Sequence, residues 1–328
     1  MENVWPIEIA IIHFFQTQLS FLIQPMSWIT NLGSEQFFIL VLPVILWCID
    51  YGLGLRVGFI LISSGQIFCV LKMALHSPRP FWYSNQIQAY SVETGFGMPS
   101  GHAMNTISIF GLLASEIKRK WVTVTCVLVI LLVGLSRMFL GMHFISDVLG
   151  GWLLGLGLFY LFVRWTGPFT RWFLRQSQAA QYGLAVASAI LWMGLCNLPL
   201  IFSTAWTMPV NWLQNALRFG EAARPNPFDP TTIYTGVGIW LGLALGAIWL
   251  HGRGGYDARG EGLQQLLRFV IGLVGTGILW FGLDRVFPDG VSFVALAFRT
   301  LRYSLVGFWM SGLAPGLFIR LKLARGLR

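Results

Sequence analysis

The chain reads as a succession of long apolar runs separated by short polar stretches. Crossing a bilayer takes about 20 apolar residues in a helix. Runs approaching that length fall at 55–75, 99–117, 121–139, 147–164, 183–202, 231–250, 266–287 and 302–321, with a shorter one at 36–49. The pattern predicts an all-α fold, a polytopic membrane helix bundle of nine spans. A further uncharged stretch at 9–32 is interrupted by His13, Gln16, Gln18, Gln24 and Pro25. It is expected to form an interfacial or re-entrant helix, with a tenth span as the alternative. Between 165 and 182 an Arg-rich polar sequence separates a front part, 1–165, from a back part, 166–328.

Composition agrees with this and removes other classes. Of the 328 residues 55% are hydrophobic and 11% charged, against about 25% charged in an ordinary soluble domain. So few charges cannot cover a soluble surface, which excludes a soluble globular enzyme, a disordered chain and a nucleic-acid binder working through a basic face. The net charge of +9 is what a cytoplasmic bias of Lys and Arg produces in a membrane protein. With the 76–98 loop placed outside, fourteen of the 22 basic residues fall inside, among them Lys118, Arg119, Lys120, Arg171 and the C-terminal Arg320 to Arg328. Loops 76–98 and 140–146 therefore share the non-cytoplasmic face. All four cysteines lie inside apolar runs with no metal-ligand spacing, and are expected to be small packing residues. The N-terminal MENVWPIEIA carries two glutamates and no basic segment, so no cleavable signal peptide is expected.

Charge at membrane depth is expensive and by default functional, and three blocks of the front part carry it. Lys72 closes one apolar run, and Arg79-Pro80 follows in LKMALHSPRP. Pro99-Ser100-Gly101-His102 opens the next run, and Arg137, His143 and Asp147 sit in SRMFLGMHFISD. All lie toward one predicted membrane face. Lys and Arg give charge-assisted hydrogen bonds to phosphate oxygens. A helix opening with Pro, Ser and Gly offers free backbone N–H groups to an anion. Together they can neutralise a phosphoryl group in flight without a metal. Two histidines then suffice for the bond changes, one attacking phosphorus and one protonating the leaving oxygen. Asp147, one helical turn after His143, can hold that imidazole in one tautomer. His143 is thus the expected nucleophile and His102 the expected acid.

The spacing Lys72-x6-Arg79-Pro80, then Pro99-Ser100-Gly101-His102, then Ser136-Arg137-x5-His143-x3-Asp147 resembles the three signature motifs of the type-2 phosphatidate phosphatase superfamily, complete and in order. The resemblance implies a six-helix phosphatase core over 1–165, if 9–32 supplies the first helix, with about four further transmembrane helices over 166–328. It implies a phosphoric monoester hydrolase or diphosphatase that uses neither metal nor cofactor and works through a phosphohistidine. By position it puts Lys72, Arg79, Ser100, Gly101 and Arg137 on the phosphate, His102 as acid, His143 as nucleophile and Asp147 as its partner. Within the superfamily, Arg79-Pro80-Phe81-Trp82-Tyr83 and Glu93-Thr94-Gly95 look like the glucose-6-phosphatase branch. Met98 and Gly141-Met142-His143 with Asp147 look like the sphingosine-1-phosphate phosphatases.

The expected substrate is accordingly a lipid phosphate in the bilayer (phosphatidate, a sphingoid-base phosphate or a prenyl diphosphate), with a soluble sugar phosphate as the alternative. A silent lipid-binding scaffold is the non-enzyme reading, and no motif residue is missing in its favour. The last residues, LARGLR, carry no endoplasmic-reticulum retrieval signal, so a bacterial plasma membrane, with the site facing away from the cytoplasm, is the expected setting. His76 is expected to be a plain loop histidine, and Phe81, Trp82 and Tyr83 belt residues or an entrance lining. Glu93 has gating or hydroxyl binding as its functional reading. The long loop 203–230 has either a lid or a plain connector role.

Overall fold

A computed structural model describes residues 4–327; Glu2 and Arg328 of the readings above lie outside them. Pro6 opens α1 (Trp5–Gln18), where its missing N–H costs nothing. After a 3₁₀ turn at Ser20–Leu22 the chain continues as α2 (Ile23–Ile29) and a second 3₁₀ turn, Thr30–Gly33. The two arms meet at 82°, so the 9–32 stretch is a bent pair, either a broken span or a re-entrant loop. Next come α3 (Glu35–Val44), α4 (Tyr51–Leu75), the short α5 (Pro80–Tyr83), α6 (Gly101–Ile117), α7 (Lys120–Phe139) and α8 (Ile145–Phe173). The back part holds α9 (Gln178–Phe202), α10 (Val210–Leu217), α11 (Thr231–His251), α12 (Gly262–Asp284), α13 (Phe293–Phe308) and α14 (Ala314–Arg320). No β-strand occurs among the described residues.

Six of these stretches are long and apolar enough to cross a membrane, or seven if the bent pair counts as one. The expected run at 99–117 is helical but yields a helix of 17 residues. The run at 302–321 is part of a longer helical stretch that starts at Phe293 with Arg299 and Arg302 in it and widens to a π turn at Trp309–Leu313. Outward-facing side chains are apolar along these helices: Leu153 is 73% exposed, Ile190 67% and Ile278 66%. Apolar surface on that scale is what lipid, not water, solvates.

The described chain forms two compact units. One comprises Met1–Phe37, Ile67–Val163 and Leu198–Asp229. In it, α6 and α7 form a hairpin through Lys118, whose φ of +53° closes the C-terminus of α6. α8 lies so close to α6 that a Cβ at Gly151 would stand 2.6 Å from the Ser100 carbonyl oxygen. Such small-residue approach is how helices pack where no hydrophobic force separates them from lipid. The other unit comprises Phe38–Gln66, Arg164–Asn197 and Pro230–Arg328. There α11 and α13 touch through Gly238 and Gly307, where added Cβ atoms would lie 2.6 Å from the Thr300 oxygen and 2.7 Å from the Ile239 oxygen. Buried Arg268 satisfies its guanidinium on backbone oxygens of Leu323, Trp47, Ala258 and Arg259, at 2.6 to 3.2 Å. Every residue singled out by the three sequence blocks falls in the first unit.

Candidate active site

Arg79 precedes Pro80, so the proline ring keeps it out of helical conformation. It caps α5 with an extended backbone (φ −93°, ψ 157°), and its side chain is buried (1% exposed). The guanidinium donates to the Gly95 oxygen at 2.6 Å, the Phe96 oxygen at 3.2 Å and the Met142 oxygen at 3.0 Å. Lys72, in the last turn of α4, donates to the same Phe96 oxygen at 2.7 Å. Arg137, in the last turn of α7, is equally buried and donates to Thr30 Oγ1 at 2.9 Å. One carboxylate joins the two guanidiniums: Glu93 Oε2 lies 2.7 Å from Arg79 Nη2, and its Oε1 accepts from Arg137 Nη2. Arg137 Nε is buried without a hydrogen-bond partner among the described residues.

The turn between α7 and α8 carries His143. Its Nδ1 is 3.3 Å from Asp147 Oδ2, and its Nε2 is 3.3 Å from Arg79 Nη1. Arginine can only donate, so Nε2 must accept, and the proton belongs on Nδ1, donated to the carboxylate. The imidazole lone pair therefore points at the guanidinium cluster. Asp147 Oδ2 also accepts from the Phe144 N–H at 3.0 Å. On the other side, the Ser100 N–H donates to the Asp147 backbone oxygen at 2.9 Å, which ties the start of α6 to the start of α8. Gly97 passes so near that a Cβ there would lie 2.8 Å from Asp147 Oδ2 and 2.5 Å from the Pro78 oxygen. Only glycine fits that passage.

Ser100 is the N-cap of α6, its hydroxyl accepting from the Ala103 N–H at 3.5 Å. Gly101 presses on Phe68, with a Cβ position 3.1 Å from the ring, and the Lys72 ammonium lies 5.9 Å from the centre of the same ring. His102 is partly exposed, and its ring interacts electrostatically with Arg137, Glu93, Lys72 and Arg79. The eight residues singled out from the sequence thus gather around one centre, though they span positions 72 to 147. Among the described residues no three His, Cys, Asp or Glu side chains converge as a metal-ligand set does.

Electrostatics sharpen two of these groups. Burial alone pushes the Glu93 carboxyl up, but the Arg79 and Arg137 guanidiniums override it and hold the group well below the usual carboxylate range. Burial, reinforced by Arg79, Lys72 and Arg137, holds the His143 imidazole well below its ordinary value. The ring is neutral at pH 7 and keeps its lone pair.

Several participants carry no motif. The bent pair supplies three. Glu8 of α1 accepts from the Ser146 N–H at 3.0 Å and from its hydroxyl at 3.1 Å, capping α8 beside Asp147. Gln16 donates to the Gln88 and Phe139 oxygens at 2.8 and 3.1 Å and accepts from the Gln88 N–H at 2.9 Å. Thr30 holds Arg137, as described. For Gln16, one of the polar interruptions of 9–32, that polarity was the available signal, since polar groups at membrane depth need partners; Glu8 and Thr30 offered none. His76 is more than a loop histidine. Its ring stacks on Trp206 at 5.1 Å, meets Phe96 edge-on at 5.3 Å, and its Nε2 lies 3.0 Å from Ser203 Oγ. Phe228 packs on Phe96 at 5.4 Å, and the Asn226 N–H donates to the Thr94 oxygen at 2.9 Å. The 203–230 loop is thereby fastened to residues 94–96. Phe81 and Trp82 are buried in this aromatic core.

Comparison with known proteins places the chain in a family. The profile of the PAP2 superfamily, the family that the three motifs resemble, matches residues 53–171. That of the PAP2 superfamily phosphatase transmembrane extension matches residues 234–326. Glucose-6-phosphatase 3 of Bos taurus is 28% identical over 97% of this chain and 96% of its own length. Phosphatidylglycerophosphatase B of Bacillus subtilis is 32% identical over 42% of this chain and 71% of its own. Sphingosine-1-phosphate phosphatase 2 of Mus musculus is 31% identical over 64% and 55%. The crystal structure of a transmembrane PAP2-type phosphatidylglycerolphosphate phosphatase from Bacillus subtilis superposes with a TM-score of 0.44 at 27% identity, covering 51% of this chain and 88% of that one. The chain is an integral membrane phosphatase, a member of the PAP2 superfamily.

Proposed function

We propose that the enzyme hydrolyses an amphiphilic lipid phosphate through a phosphohistidine. The observation that carries this reading is the placement of His143, its Nδ1 on Asp147 and its Nε2 against Arg79. A phosphate bound by Lys72, Arg79, Arg137, Ser100 and Gly101 has its phosphorus within reach of Nε2. Attack forms the N–P bond while the P–O bond to the alcohol breaks, and His102 gives that oxygen its proton. The imidazolium that develops is stabilised by Asp147. Water then attacks phosphorus, His102 takes its proton, the N–P bond breaks, and inorganic phosphate leaves. The basic-residue distribution supports a site on the non-cytoplasmic face.

Lipid phosphates are favoured by the acidic residue at 147 and by the similarity to phosphatases named for phosphatidylglycerophosphate and sphingosine 1-phosphate. A soluble sugar phosphate is the second reading, favoured by the similarity to glucose-6-phosphatase 3 along nearly the whole chain. The test is phosphate release by detergent-purified protein in EDTA, with phosphatidate, sphingosine 1-phosphate, a prenyl diphosphate and glucose 6-phosphate offered in parallel. His143→Ala serves as the blank. EDTA-resistant turnover of a lipid, absent from the blank, supports the first reading. Turnover of the sugar phosphate alone replaces it with the second, and turnover lost in EDTA sinks the metal-independent route.

A further inference from the structure

Two buried guanidiniums side by side repel each other and cannot stay unpaired in a low-dielectric site. Arg79 and Arg137 are each 1% exposed, and Glu93 lies between them with one oxygen on each. These terminal nitrogens are the ones a phosphate would take, since two oxygens bridging two forks is also how guanidiniums hold phosphate. We infer that Glu93 is a displaceable counter-ion, its carboxylate occupying the phosphate seat of the free enzyme until the substrate's phosphate turns it out. The inference rests on the proposed role of Arg79 and Arg137 as phosphate ligands.

The loop is built for such an exchange. Downstream of Glu93 the backbone is fixed. Thr94 accepts from Asn226, Gly95 and Phe96 from Arg79, Phe96 also from Lys72, and the Gly97 N–H donates to Ser77. Upstream, the Tyr90 N–H is fastened to the Leu140 oxygen at 3.2 Å. Between these anchors Ser91 and Val92 are exposed, and the Glu93 side chain is 27% exposed. The carboxylate can therefore rotate toward the surface while the loop that holds the cations stays in place. Glu93 and a phosphate dianion cannot share the seat, because like charges at contact distance in a site cost on the order of a hundredfold or more in affinity. In the free enzyme the carboxylate offsets one of the two guanidinium charges, and after hydrolysis its return helps inorganic phosphate leave.

The test is binding of inorganic phosphate to the full-length protein in detergent, followed by titration calorimetry and by ³¹P line broadening. Wild type, Glu93→Gln, Glu93→Asp and Arg79→Ala are compared, each checked for an unfolding transition. Displacement requires Glu93→Gln to bind phosphate at least about tenfold more tightly than wild type. Glu93→Asp, too short to reach both guanidiniums, falls between the two. If Glu93 only positions the arginines, Glu93→Gln binds phosphate more weakly, and that result, or equal affinity, overturns the inference while Arg79→Ala still loses binding. Arg79→Ala binding as well as wild type instead removes the phosphate role of the cluster itself, and the inference with it. Should Glu93→Gln fail to fold, the comparison of Glu93→Asp with wild type decides by the same sign.

Discussion

Arg79 reaches Nε2 of His143 at 3.3 Å, so the proposed nucleophile and one proposed phosphate ligand are in contact before any substrate arrives. A cation at this nitrogen discourages its protonation, so the lone pair stays unprotonated while it accepts from the guanidinium. The same guanidinium is fixed by the Gly95, Phe96 and Met142 oxygens. Such fixed charge needs no reorganisation as negative charge builds on a transferring phosphoryl group.

The first consequence is in the pH profile. An ordinary imidazole nucleophile becomes protonated as pH falls through about 6.5. His143 is held well below that by burial and by the surrounding cations, so kcat/KM against pH should show no loss assignable to His143 between pH 7.5 and about 6. Its acid limb should appear only at more acidic pH. In an Arg79→Lys variant, whose ammonium lacks the planar fork, that limb should move toward neutral pH. A wild-type limb centred near 6.5 that disappears in a His143 variant contradicts the assignment.

His102 should reveal itself through the leaving group. With an alkyl phosphate the departing oxygen needs a proton, and His102→Ala should lose on the order of 10²- to 10⁴-fold in turnover, the usual contribution of a positioned acid. With an aryl phosphate whose phenol leaves unaided, the loss should be far smaller. Steady-state rates on the two substrates decide this, and equal losses count against His102 as the acid.

Glu8 touches none of the proposed phosphate ligands in its hydrogen bonds, both of which go to Ser146. It supplies an N-terminal carboxylate to α8 through Ser146, and loss of such a cap costs about 0.5–2 kcal/mol. Glu8→Ala should lower the thermal midpoint in detergent and reduce kcat more than it raises KM, because Asp147 sits in the same first turn. Glu8→Gln keeps an acceptor and should recover part of both. An unchanged midpoint in Glu8→Ala means the cap contributes nothing.

Trp206 lies 59 residues beyond the last motif residue, Asp147, yet its ring packs on Phe96 at 5.2 Å and on His76 at 5.1 Å. Each aromatic pair contributes about 0.5–1.5 kcal/mol beyond area burial. Trp206→Ala should loosen the 94–97 backbone, on which Arg79 and Lys72 donate, and lower kcat/KM while leaving the protein folded. Trp206→Phe should restore most of it. Faster amide exchange confined to residues 93–97 is the accompanying signature.

What could be read from the sequence and what could not divide along a physical line. Lys72, Arg79, Ser100, Gly101, His102, Arg137, His143 and Asp147 stood out because charge and small residues at membrane depth need a reason, and because each block is local. Glu8, Gln16, Thr30 and Trp206 did not, because their partners lie far away in the chain: Glu8 and Ser146 are 138 residues apart, and Gln16 and Phe139 are 123. Hydropathy located the helices but not their ends. A bent pair and a 17-residue helix carry the same apolar signal as a straight span, and only packing tells them apart. Glu93 lay in plain view beside the second motif, but a lone carboxylate carries no sign of which cation it will meet.

The aromatic block around Phe96 draws on His76 at one end of the chain order and Phe228 at the other. Synthesis therefore sets a timetable. A nascent chain halted near residue 165 already holds all three motifs, yet it offers Phe96 neither Trp206 nor Phe228, and Thr94 no Asn226. The 94–96 segment acquires its last supports only after the polypeptide has passed residue 228, by which time α9 has been made. Ribosome-stalled intermediates of increasing length should thus stay silent through the motifs and gain activity late, in a step rather than gradually.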